Sequence, residues 1–136
     1  MLKLESGNAN VAGAATRGWF VGDLAGWAAQ RGAPSDTAGT PRQSDRVQVK
    51  WLVHPPGDER RDWAEPDDSN TLSILLDGEM RLEFRARAGE SELVRLSAPG
   101  DYAIWSGAEY SHRWHTEAGC TMITVRWRAE LDEADS

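Results

Sequence analysis

Apolar and polar positions alternate through VQVKWLVH, with Val47, Val49, Trp51 and Val53 on one side and Gln48, Lys50, Leu52 and His54 on the other. A period of two sustained from residue 47 to 54 predicts a strand. TLSILLDGEMRLEFRA reads as strand, Asp-Gly turn and strand, the short-range signal of a hairpin. SELVRLSAPGDYAIWSGAEYSHRWHTEAGCTMITVRW continues as short apolar runs broken by APGD, SGAE and TEAG. From residue 46 onward no long helical period is present. Many short strands with turns at near-regular spacing predict an all-β chain closed as a barrel or jelly roll, with little helix. Upstream, RGWFVGDLAGWAAQRG allows a strand followed by a short helix, and APSDTAGTPRQSD reads as loop. PPGDERRDWAEPDDSN is a polar connection. Residues 1–16 form an irregular Gly- and Ala-rich arm, 46–127 the barrel, and 128–136 an acidic tail, all within one domain over 1–136.

Charge and composition narrow the partners. The net charge of −7 argues against nucleic acid and anionic lipid, which need clustered Lys and Arg. No apolar run approaches the roughly 20 residues that span a bilayer, and the N-terminus lacks the apolar core of a secretory signal. A single cysteine, Cys120, excludes an intramolecular disulfide and a Cys-rich zinc site. The expectation is a soluble cytoplasmic protein with a small-molecule partner. Seven tryptophans against two Phe and two Tyr supply large apolar faces, most for packing and a few for a cavity wall.

The segments LSILLDGEMRLEF and PGDYAIWSGAEYSH resemble the two motifs of the cupins, small jelly-roll barrels. Pro99, Gly100 and Asp101 begin the second motif, and it reaches His112 after a hydrophobic strand and a turn. With TRGWF, VQVKW, HRW and TVRW, the chain is similar to small single-domain bacterial cupins of unassigned activity, over about residues 46–127. The resemblance implies a barrel with an internal cavity and a homodimer, for which the face of Val47, Val49 and Trp51 offers a surface. In metal-binding cupins the first motif supplies two His and one Glu. Here the Glu position falls at about Thr71, and WAEPDD holds no histidine at the other two. Only His112 remains of that ligand set, so no metal and no other cofactor is expected.

Strand alternation sorts the remaining candidates. If His112 points inward, so does Trp114, while Arg113 and His115 point out. The proposed proton-transfer groups are His112 and His54, with Tyr102 as partner acid. The proposed ligand contacts are Lys50, Ser73 and Arg126, with Trp105 and Trp114 as apolar walls. Arg126 either pairs with an acid such as Glu83 or Asp101, or meets an anionic ligand. Three functions follow. The first is a metal-independent small-molecule-binding barrel with a Trp-lined, partly cationic pocket. The second is a His-dependent isomerase, epimerase or cyclase acting on an anionic or ring-containing substrate. The third is a dioxygenase-like cupin in which Glu65, Asp67 and His112 converge on a metal.

Overall fold

A computed structural model describes residues 4–32 and 40–128, and the chain divides into two compact units, Met1–Trp51 and Leu52–Ser136. In the first unit the expected irregular arm contains two helical turns. The Asn8 side chain accepts from the Asn10 N–H at 2.9 Å and starts the helix α1 (Ala9–Ala12), which a 3-10 turn over Ala14–Thr16 follows. An Asx cap before alanines is enough to satisfy an orphan N–H and begin a turn. The strand β1 (Trp19–Val21) pairs antiparallel with β2 (Val47–His54), Trp19 opposite Lys50. The helix α2 (Leu24–Gln30) is capped by Asp23, whose Oδ1 accepts from the Gly26 N–H, and it buries Leu24 and Ala28. Of the expected loop over 33–45, residues 33–39 lie outside the described residues, as does the acidic tail from 129.

The second unit is a cupin jelly roll of antiparallel strands: β3 (Glu59–Arg60), β4 (Ser69–Gly78), β5 (Met80–Ala86), β6 (Ser91–Leu96), β7 (Tyr102–Ser106), β8 (Tyr110–His115) and β9 (Cys120–Arg128). One sheet holds β9, β4 and β7 in that order, and the other β3, β8, β5 and β6. The inner faces enclose a core of Leu75, Met80, Leu82, Phe84, Leu96, Ala103, Trp105, Cys120 and Met122. Fully burying one such side chain is worth about 1.5–3 kcal/mol, so this cluster outweighs the polar contacts described below.

Two expectations are corrected. The Asp-Gly turn joins β4 to β5, but the two strands do not pair: β4 bonds β7 and β9, while β5 bonds β6 and β8. The turn is a corner between sheets. Gly78 has φ +86°, and a Cβ there would stand 2.1 Å from the Gly119 carbonyl oxygen, because β9 begins against it. Only glycine fits. At the end of β2 the expected faces are exchanged. Leu52 packs against the core and the His54 side chain is 10% exposed, whereas Val53 is 59% exposed. Position between neighbouring elements overrides the valine's apolarity. Among the described residues no helix is long and apolar enough to cross a membrane.

Candidate functional site

The inner face of the barrel changes character along its strands. On β4 the buried residues run Ser69, Thr71, Ser73, Leu75, and on β9 half-buried Arg126, buried Thr124 and buried Met122 stand opposite Thr71, Ser73 and Leu75. One end is apolar and the other polar. Thr71 is 4% exposed and stands between Trp105 of β7 and Arg126 of β9 as a direct cross-strand neighbour of each. His112 enters the same end from β8. Its ring centroid lies 4.9 Å from that of Trp105 and 6.3 Å from that of Phe84. Among the described residues none hydrogen-bonds the His112 ring. Desolvation by its surroundings, then the positive charges of Arg60 and Arg126, push the His112 pKa from 6.5 down to about 4, against a smaller upward pull from Asp67. At neutral pH the ring is therefore uncharged, with one N–H donor and one nitrogen acceptor.

The structure separates the sequence candidates. His112, Trp105 and Arg126 share the polar end. Glu83 is engaged by Arg113 at 2.8 Å, and Asp101 accepts from the Ser97 and Ala98 N–H groups, so neither acid is the expected counter-ion held for Arg126. Ser73 is buried, but its hydroxyl lies 2.8 Å from that of Thr124, and the pair satisfies itself. Trp114 packs on the core and against His54, at 4.4 Å between ring centroids. His54 belongs to a different constellation: its Nδ1 donates to Asp58 Oδ2 at 2.9 Å. Tyr102 is 62% exposed and alternates with buried Ala103, so it faces away from Trp105 and His112. It is not positioned as their partner acid. Lys50 lies in the first unit, its Nζ 5.1 Å from the Trp19 ring centroid. His115 is half-buried, opposite Glu59 and Arg81, and does not join His112.

The residues at the polar end do not fit a divalent metal. Thr71, near the position to which the cupin resemblance assigns a glutamate, has Arg126, which bears a guanidinium, directly opposite it. A carboxylate replaced by a neutral hydroxyl next to a cation gives a field that repels a second cation. Asp67 is committed to an Asx turn, accepting from the Ser69 N–H at 2.9 Å and the Ser69 hydroxyl at 2.6 Å, and Glu65 is exposed. Among the described residues no group of three His, Cys, Asp or Glu converges as a metal site, so Glu65, Asp67 and His112 are not gathered.

Sequence reasoning missed Phe84, Thr71 as a wall, and Arg60. Phe84 was legible in the alternation MRLEF, which puts it on the face of Met80 and Leu82. The pairing of Thr71 with Arg126 was not, because it depends on register. Outside the barrel, the sheet of β3, β8, β5 and β6 carries a groove of about 390 Å³ containing Arg61, Arg81 and Arg113. These arginines pair with Glu59, Glu117 and Glu83 at 2.5, 2.9 and 2.8 Å. Trp63 is stacked between Arg85 and Arg113, each 4.4 Å from its ring centroid. This face neutralises itself.

No protein-family model matches the chain, and no curated protein does. Solved structures do. A cupin superfamily protein from Desulfitobacterium hafniense DCB-2 aligns with a TM-score of 0.53 and 23% identity, over 64% of this chain and 72% of its own. Oxalate decarboxylase from Bacillus subtilis aligns with a TM-score of 0.54 and 18% identity, over 65% of this chain but only 22% of its own. Peruvianin-I from Thevetia peruviana latex, described as a cysteine peptidase, aligns with a TM-score of 0.52 and 19% identity, over 61% of this chain and 51% of its own. Proteins with such different descriptions share one fold, so the fold is secure and the activity must be argued from the site.

Proposed function

We propose that this cupin-fold chain binds a small anionic molecule at the polar end of its barrel, without a metal. One observation carries the reading: His112 is held between aromatic rings, uncharged, with no hydrogen bond to its ring from any described residue. His112 is half-buried, so its ring N–H and its ring nitrogen acceptor, uncommitted to protein groups, are available to a ligand. Burial lowers the His112 pKa most, and the positive charges of Arg60 and Arg126 lower it further; that same positive field favours an anion. Trp105 offers an aromatic edge to a ring-bearing ligand.

The test is a titration with benzoate and, in parallel, benzyl alcohol, followed by the imidazole NMR signals of His112 at pH 7. Benzoate is expected to shift those signals, to raise the His112 pKa by adding a negative charge beside it, and to bind roughly tenfold more weakly to R126M. Equal binding of the alcohol sinks the idea. So does a stoichiometric transition metal in the purified protein that H112A loses.

A second reading rests on His54. With Nδ1 bonded to Asp58, its Nε2 is left as the basic nitrogen, the arrangement of an oriented general base. This supports an isomerase, epimerase or cyclase. Loss of turnover in both H54Q and D58N, with folding intact, is the expected outcome for that reading. Activity retained in either variant removes it.

A further inference from the structure

A cavity of about 340 Å³ opens where β6 and β7 diverge, at the seam between the two sheets. Its chemistry is the reverse of the polar end. Phe84 and Trp105 form the back, with ring centroids 4.9 Å apart in an edge-on arrangement. Tyr110 stands edge-on to Phe84 at 6.1 Å and is 38% exposed, so its ring borders the opening. Tyr102 and Ile104 continue the rim, 62% and 56% exposed. Glu92 is directly opposite Phe84 across the β5–β6 ladder and contributes the one charge in the lining. No basic side chain lines the cavity, and among the described residues Glu92 has no ion-pair partner.

Aromatic faces carry negative potential, so a ring cluster attracts a cation and discriminates against an anion. A carboxylate at the mouth adds long-range attraction of the same sign. We infer that the groove of Phe84, Trp105, Tyr110 and Glu92 is a second binding site, for a small quaternary or methylated ammonium compound. The rings remove the methyl groups from water and hold the diffuse positive charge, while Glu92 sets its sign. A bare ammonium is the poorer ligand, because its hydration shell must be stripped for the same ring contacts.

The probe is choline, compared with 3,3-dimethylbutan-1-ol, which has the same shape and no charge. Binding is measured by calorimetry and by saturation-transfer NMR on the methyl protons. Choline is expected to bind at least about tenfold more tightly than the alcohol. E92Q is expected to weaken choline about fivefold or more and to leave the alcohol unchanged. Y110L is expected to weaken both, and circular dichroism establishes that each variant is folded. Glu92 and Tyr110 are at the exposed rim, so neither change hollows the core. Equal affinity for choline and the alcohol overturns the assignment, as does choline binding that neither variant alters, or no choline binding at all.

Discussion

The two ends of the barrel are built on the same strands and obey different rules. At one end Leu75, Leu96, Met80 and Met122 are 0–2% exposed and touch mainly each other. At the other, further along β4 and β9, the inward residues are Thr71, Ser69, Thr124 and Arg126. The apolar end carries the stability. The polar end buries groups that cost free energy unless they are partnered, and places His112 among them. The difference teaches that one pair of strands can carry a stabilising apolar end and a chemically distinct polar end, because the inward residue type changes along them.

Mutations separate the two ends. L75A is expected to cost about 2–5 kcal/mol, read as a lowered urea midpoint, since a fully buried leucine leaves a cavity at the tightest part of the core. A loss under about 1 kcal/mol removes the stability role assigned to that end. The next effect belongs to His112. Its pKa is near 6.5 unfolded and about 4 folded, so between those values the unfolded chain binds more protons. Stability is complete above pH 6.5 and falls by roughly 3 kcal/mol as the pH drops through 4. Urea unfolding at pH 4.5 and 7.5 measures this, and H112Q is expected to flatten the difference by a comparable amount. An unchanged slope in H112Q assigns the pH dependence to another group.

Ser73 offers a finer contrast. S73A strands the buried Thr124 hydroxyl and is expected to cost about 1–3 kcal/mol, whereas S73A with T124V removes both partners and recovers most of it. A double variant no more stable than the single would show that the pair does more than satisfy itself. The smallest effect is expected at Tyr102. Y102F changes an exposed hydroxyl and is expected to move stability by less than about 0.5 kcal/mol, with benzoate binding at His112 unaltered.

The strands of the barrel were legible because their alternation is strong and APGD, SGAE and TEAG fall between them. The inward direction of His112 and Trp114 followed from the same period. Tyr102 did not. In YAIW both faces are apolar, so alternation cannot say which is inside, and it forbids Tyr102 and Trp105 from sharing a face. Alternation puts Arg126 on the face of Thr124, but its neighbours Thr71 and His112 come from strands distant in sequence. The Asp-Gly turn misled for a related reason: the dipeptide specifies a tight reversal, while hydrogen bonding of the flanking strands is decided by what lies beside them.

That corner has a kinetic consequence. Since β4 turns away from β5, it bonds β7 and β9 instead, and in the β9 ladder Ser69 meets Arg128 and Gly78 meets Cys120, far along the sequence. The ladder can form only after a long loop has closed and paid its entropy, whereas β5 and β6 meet across a short connection. Loop-closure entropy therefore favours the β5–β6 ribbon over the β4–β9 ladder as the earlier pairing. The ladder that holds Thr71 beside Arg126 can exist only once residues 120–128 have joined residues 69–78.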